Sequence, residues 1–206
     1  MDTRNYTNPF VTILHPFDGA YDIRFKNRGS VVISCVILVL WFFTSVFARQ
    51  NTSYIFNKNK LSDFNVLLQL LGVALPFGLF VISNWIMGIL LNGTGRFRDI
   101  FIYTSYCLVP YVIGSFAGAV VSNGLTMEEP FADYLIVAGA AWSLTILFIG
   151  LMVMHEYGFV LNCFSCACTV ATMLILVFLI MLGGSLASDF YGFVTTITRE
   201  ILFRLS

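Results

Sequence analysis

The chain has 206 residues, of which 58% are hydrophobic and only 11% are charged, whereas about a quarter of the residues in an ordinary soluble domain carry a charge. Its 11 basic and 11 acidic residues cancel, so no net field exists that would attract nucleic acid or an acidic substrate. These values argue against a water-soluble domain and against nucleic acid as a partner.

Residues 1–29 remain polar and rich in turn-forming residues, so we expect no cleaved signal peptide and interpret them as a cytosolic or interfacial segment. Asn8 before Pro9 is typical of a helix start. Apolar residues then recur at helical spacing: Phe10, Ile13, Leu14 and Phe17. This pattern predicts a short amphipathic helix at the membrane surface.

Five stretches contain no Asp, Glu, Lys or Arg: residues 30–48, 64–95, 100–127, 134–155 and 157–188. About 20 residues of apolar helix cross the hydrocarbon core of a bilayer, and backbone polar groups in lipid must be bonded within the segment. The sequence therefore predicts an all-α polytopic integral membrane protein surrounded by the lipid bilayer. Its single domain, residues 30–188, would be a bundle of five transmembrane helices at about 30–48, 66–91, 100–121, 134–154 and 161–187.

Prolines and small residues predict how these helices pack. Pro76 and Pro110 lie inside the second and third helices, where each either kinks the helix for packing or marks an unwound segment that lines a substrate path. Gly114 and Gly118 form a small face on the third helix that permits close approach of another helix. Its partner is either the small face at residues 139–143 of the fourth helix or a second copy in a homo-oligomer.

The predicted helices contain no carboxylate or amine in their middle. Ion-coupled carriers and intramembrane hydrolases need such groups at depth, so both classes are disfavoured and no catalytic residue is predicted. Asn84 is one of the few polar residues inside a helix, and we interpret it and Tyr106 as packing residues. If the protein transports a solute, Asn84 is the side chain that would border the path.

Histidine and cysteine residues do not form a recognisable metal site. His155 and Glu156 lie in the predicted turn before the fifth helix, but an HExxH motif would need histidine at position 159, which is Phe159. We therefore interpret them as a structural pair and predict no metal and no other cofactor. Three cysteines cluster near the start of the fifth helix: Cys163, Cys166 and Cys168. They are interpreted as packing residues, with reversible acylation or redox sensitivity as the alternatives.

Charges near the helix ends indicate the orientation. Arg24, Lys26 and Arg28 crowd the start of the first helix, whereas the loop at residues 122–133 has three acidic residues and no basic one. The positive-inside rule then predicts a cytosolic N-terminus and an external C-terminus. The loop at residues 92–99, with two glycines and two arginines, is either a turn with positive anchors or a contact for a partner or lipid headgroup.

The C-terminal residues 189–206 also show an apolar face, formed by Phe190, Phe193, Val194, Ile197, Ile201 and Leu205. Arg199 lies opposite this face. The pattern predicts an amphipathic segment on the membrane surface, with a continuation of the fifth helix as the alternative.

Three strings of the chain resemble the Yip1-domain family in its short bacterial form. They are HPFDGAYDIRF at 15–25, NWIMGILLNGTGRFRDIFIYTSYCLVPY at 84–111 and IGLMVMHEY at 149–157. The most specific part is Gly93-Thr94-Gly95-x-Phe97-x-Asp99 followed by Tyr106 and Pro110. The resemblance implies five transmembrane helices with a cytosolic N-terminus, here in a bacterial cell membrane. Eukaryotic members act in vesicle traffic at the Golgi and bind prenylated Rab GTPases, which implies a general role as a membrane adaptor or organiser.

The leading hypothesis is a non-enzymatic integral membrane protein that binds unidentified membrane or cytosolic proteins through its cytosolic loops. The predicted partner-binding residues are Asp18, Gly19, Tyr21, Asp22, Gly93, Gly95, Arg96, Phe97, Arg98, Asp99, His155 and Glu156. They come from three segments that share one side of the membrane if the N-terminus is cytosolic. The alternative is a small transport or permease-accessory subunit of a bacterial uptake system.

Overall fold

A computed structural model describes residues 9–51, 65–124 and 131–205. The predicted N-terminal helix is divided in two, α1 (Pro9–Leu14) and α2 (Pro16–Phe25). The break falls at His15 because the residue before a proline is disfavoured in the helical conformation. Both helices pack on the bundle, where Ala20 and Ile23 are completely buried. Phe10, Leu14 and Phe17 stay exposed, as expected of side chains that face lipid.

The rest of the chain forms six further α-helices in the described ranges, which contain no strand: α3 (Val31–Asn51), α4 (Val66–Leu90), α5 (Phe97–Cys107), α6 (Val109–Val121), α7 (Phe131–His155) and α8 (Phe159–Leu205). Within these described ranges, five segments are long and apolar enough to cross a membrane: Val31–Asn51, Val66–Leu90, Phe97–Gly124, Phe131–His155 and Phe159–Glu200. The prediction of an all-α polytopic membrane protein is confirmed.

The two prolines have different effects on their helices. The third span is interrupted at Leu108, and Pro110 lies in the first turn of α6, a position that tolerates proline because the missing N–H has no intrahelical acceptor there. Pro76 lies within the continuous helix α4 and is exposed on its surface. Pro110 therefore begins a new helix, whereas the backbone around Pro76 is not unwound.

The C-terminal residues differ from the prediction of a separate surface helix. Helix α8 continues without interruption from Phe159 to Leu205, over 47 residues. At about 1.5 Å per residue it is about 70 Å long, which exceeds the roughly 30 Å hydrocarbon core of a bilayer. The structure thus shows the alternative, in which the fifth transmembrane helix continues to the C-terminal residues. No proline or cap interrupts it, and the apolar pattern keeps a helical period into the last turns.

The interior is centred on two tyrosines of α5. Tyr103 and Tyr106 are completely buried and pack with residues of α2, α3 and α7. The Tyr103 ring lies over Gly150, where a Cβ atom would come within 1.9 Å of the ring, and its hydroxyl donates to the Ile146 carbonyl at 2.9 Å. The hydroxyl of Tyr106 lies 3.4 Å from the amide of Ser30. These contacts place α5 at the centre of the packing between α2, α3 and α7.

The small faces of α6 and α7 meet within the chain. A Cβ atom on Gly114 would lie 2.6 Å from the Leu135 carbonyl oxygen, and one on Gly139 would lie 2.7 Å from the Pro110 carbonyl oxygen. Gly118 also faces α7. The small residues thus allow the two backbones to approach closely, and this face is already occupied by the chain itself.

Candidate partner-binding surface

The loop at residues 92–96 is shaped by a tight return of the chain after α4. Asn92 has a φ of 56°, in the left-handed region that asparagine tolerates better than most residues. The amide of Gly93 donates to the Gly88 carbonyl at 2.7 Å. Helix α5 then begins at Phe97, with Asp99 in its first turn, where the helix dipole favours an acidic side chain.

The imidazole of His155 lies beneath this loop. His155 is the last residue of α7. Its imidazole is buried and stacks on the Tyr157 ring with 5.1 Å between ring centroids. A Cβ atom on Gly93 would lie 2.5 Å from His155 Nδ1, and one on Gly95 would lie 2.7 Å from its Cε1. The glycines are required because any side chain on them would prevent the loop from closing over the ring.

A chain of hydrogen bonds runs from His155 through three spans. The Nε2 atom of His155 lies 3.0 Å from Asn84 Oδ1, and the Asn84 amide nitrogen donates to Thr169 Oγ1 at 3.3 Å. Thr169 in turn donates to the Ser165 carbonyl. Because an amide oxygen only accepts, Nε2 of His155 carries the proton. Asn84 therefore joins α4 to α7 and α8.

His155 and Glu156 point to different partners. Glu156, at a φ of 59°, turns the chain between α7 and α8, and its carboxylate accepts a hydrogen bond from the Thr94 hydroxyl at 2.8 Å. Burial raises the pKa of Tyr157 above its usual value, so its hydroxyl stays protonated and donates to the Gly88 carbonyl. Within the described residues no three His, Cys, Asp or Glu side chains come together as a metal site.

An ion pair attaches α2 to the first turn of α5, and a hydrogen bond attaches it to the loop. Arg24 Nη1 lies 3.6 Å from Asp99 Oδ2, with 10% and 4% of the two side chains exposed. The guanidinium of Arg24 also donates to the carbonyl oxygen of Thr94. Sequence reasoning included Asp99 but missed Arg24 and Thr94, since no spacing rule links positions 70 residues apart.

Two further arginines attach the start of α5 to the chain after α2. Arg96 donates to Asn27 Oδ1 at 3.3 Å, and Arg98 donates to the Gly29 carbonyl at 3.4 Å. Both arginine side chains are exposed. A guanidinium has five N–H donors, so each retains donors that can reach a partner.

The outer side of α2 carries charged and aromatic residues. Tyr21 is half exposed and packs against Phe25 at 4.8 Å between ring centroids. Asp22 pairs with Lys26 at 2.6 Å and with Arg28 at 3.5 Å. Asn27 and Gly29, which follow α2, are bonded to Arg96 and Arg98, so this side of α2 lies at the same end of the bundle as the loop and the turn.

The predicted site residues divide into an exposed and a supporting group. The exposed group, which we call the junction surface, consists of Asp18, Tyr21, Asp22, Arg96, Phe97, Arg98 and Glu156, of which Asp22 is only partly exposed. Asp99 and His155 are buried beneath it, and Gly93 and Gly95 are partly buried. Gly19 is buried against Thr12 of α1 and serves the contact between α1 and α2. The structure thus brings the three predicted segments together.

A model of the Yip1 domain matches residues 10–192, most of the chain. The chain belongs to the Yip1 family. The match begins in α1, includes all of the first four spans and ends within α8, so it confirms the resemblance seen in the sequence. A search of curated proteins and a search of solved structures give no match to this Yip1-family protein.

Proposed function

We propose that this Yip1-family protein is a non-enzymatic membrane adaptor that binds partner proteins through the junction surface. The main support is that three segments distant in the sequence are bonded into one surface, through Arg24, Thr94 and Arg96. Bonded segments lose little conformational freedom when a partner binds, which favours affinity. Turns that only connect helices would not need an ion pair and hydrogen bonds between distant segments.

The part of the junction surface that α5 forms, with its preceding arginine, favours a partner with acidic and apolar groups. Arg96 and Arg98 present guanidinium groups, Phe97 between them presents a half-exposed ring, and Tyr21 presents another on α2. Tyrosine and arginine are enriched among the residues that contribute most to binding energy in protein interfaces. A carboxylate-bearing segment with an apolar side chain would satisfy both kinds of group.

We also propose that the junction surface lies in the cytosol of a bacterial cell, with the C-terminus outside. Arg24, Lys26, Arg28, Arg96 and Arg98 gather at this end of the bundle, as the positive-inside rule requires of a cytosolic face. An odd number of spans then directs the two termini to opposite sides. A Thr126→Cys variant should react with a membrane-impermeant maleimide in intact cells, and protection there with labelling only after lysis would reverse the orientation.

Photo-crosslinking tests the adaptor role directly. A photoreactive amino acid at position 97 should crosslink one defined protein in native membranes, identified by mass spectrometry. Arg96→Ala with Arg98→Ala should abolish that adduct, because both guanidinium groups border the probe. The matched control, Arg199→Ala with Arg204→Ala, removes two exposed cations at the far end of α8 and should leave it unchanged. An absent adduct, or equal loss in both double variants, would refute the proposal.

The transport alternative has less support from the described residues. Helix α4 is continuous past Pro76, and both ends of the Asn84 amide are engaged within the bundle. Flux of candidate solutes in proteoliposomes, compared between the wild-type protein and Asn84→Leu, would decide it. Asn84-dependent flux of a solute would favour the transport role over the adaptor.

A further inference from the structure

An apolar groove of about 480 Å³ lies between α4, α7 and α8. It is lined by Phe80 of α4, by Leu144, Leu147 and Leu151 of α7, and by Cys166 and Val170 of α8. Among the described lining residues the one hydroxyl, on Thr145, donates to the Ala141 carbonyl of its own helix at 2.8 Å. The groove therefore offers a ligand almost no polar partner, and burying a polar group there would be costly.

The groove exists because α7 and α8 diverge after the turn that joins them. Near the turn they are held together by the Phe148 and Phe159 rings, 5.6 Å apart, and by a hydrogen bond from Asn162 to the Phe148 carbonyl at 3.0 Å. Farther along, α7 packs mainly on α6 and α8 packs mainly on α4. A gap therefore opens between them on the side of the bundle that faces lipid.

The position of the groove along the membrane span shows which part of the bilayer surrounds it. Leu151 lies 4 residues and Leu144 lies 11 residues before the end of α7 at His155. At about 1.5 Å per residue, the groove extends from about 6 to about 17 Å from the end of the span. Half of the hydrocarbon core is about 15 Å thick. The groove thus lies at the depth of the acyl chains in the leaflet on the side of the junction surface.

The volume of the groove, about 480 Å³, suits a narrow and flexible apolar occupant. A single acyl chain is narrow enough to enter. An acyl chain that moves from lipid into the groove exchanges one apolar environment for another, so the hydrophobic effect does not favour the transfer. The binding energy would instead come from dispersion contacts with the side chains of the groove, which are lost when the groove is empty.

We propose that this groove binds one acyl chain of a membrane lipid, which enters sideways from the leaflet on the junction side. The lipid would fill the space between α7 and α8 and complete the packing of the bundle there. This binding site is independent of the adaptor role and of the junction surface.

The test uses the full-length protein in liposomes that contain a phospholipid with a diazirine in the middle of its acyl chain. Adducts located by mass spectrometry should be several times more abundant on residues 144–151 than on the exposed face of α3 around Val36 and Leu40, which are 52% and 53% exposed. Val170→Trp should reduce the groove adducts several-fold because its indole fills the groove. Leu174→Trp, one turn farther on α8 and outside the lining, should leave them unchanged.

Equal adduct yields on the groove and on α3 would overturn the proposal, as would equal effects of the two tryptophan variants. An intact-protein mass increased by a hydroxylamine-sensitive acyl group would overturn it in favour of covalent acylation at a cysteine. Circular dichroism and gel filtration of both variants show whether each is folded. Crosslinking at position 97 should be unaffected by Val170→Trp, which separates this result from the test of the adaptor role.

Discussion

The buried pair of Arg24 and Asp99 allows the junction to be tested by a single substitution. At 3.6 Å and an effective dielectric constant of about 20, the two charges attract each other by about 4–5 kcal/mol. Desolvation offsets part of this attraction when the pair forms. Asp99→Asn keeps the shape of the side chain but leaves the guanidinium buried without its counter-charge, which we expect to cost about 3 kcal/mol.

The effect should be measured both as stability and as release of α2. Unfolding of the reconstituted protein by a denaturing detergent gives the free energy change. Accessibility is read from Ala20→Cys, a completely buried position of α2, with a water-soluble maleimide. All five native cysteines lie inside the spans, so this thiol should be the one that becomes reactive when Asp99→Asn loosens α2.

Asp22→Asn is the matched control on the same helix. Asp22 also pairs with cations, but Lys26 and Arg28 are 49% and 44% exposed, so its loss should cost at most about 1 kcal/mol. Arg24→Gln combined with Asp99→Asn should be less destabilising than the sum of the single changes, because no unpaired charge remains. Equal costs of Asp99→Asn and Asp22→Asn, or strict additivity in the double variant, would refute the reasoning.

Three other predictions concern packing inside the bundle and the end of α8. Gly150→Val should destabilise the protein by about 1–3 kcal/mol in the same unfolding assay, because its side chain enters the Tyr103 ring; Gly183→Ala, which meets nothing within 4 Å, should not destabilise it. Asn84→Leu should cost about 1–3 kcal/mol through its two interhelical bonds, whereas Thr145→Val, which loses a bond within its own helix, should cost less than half as much. A spin label on Phe193→Cys should report the lipid headgroup region, because an apolar helix face is unstable in water. Phe193 lies about 51 Å along α8 from Phe159, so this position requires α8 to tilt strongly from the membrane normal; full exposure to water would contradict the expectation.

Periodicity and proline chemistry explain which elements were predictable. Runs without charge predicted the five spans because lipid excludes unpaired charge and demands internally bonded backbone. Pro110 predicted a disturbance, but only the structure shows that α6 begins there anew. The continuous α8 was one of two open alternatives, since an apolar stripe fits a surface helix and an extended span equally well.

Local composition and motifs were sufficient to predict the membrane architecture, the family and the three segments that contribute to the candidate site. The three-dimensional fold was needed to show that Arg24 faces Asp99 and that Asn84 bonds to His155. It also showed that Gly88, Gly93 and Gly95 leave room for the imidazole ring of His155. Such contacts depend on how helices distant in the chain are placed side by side. No local pattern carries that information, because each residue in these pairs has an ordinary neighbourhood in the sequence.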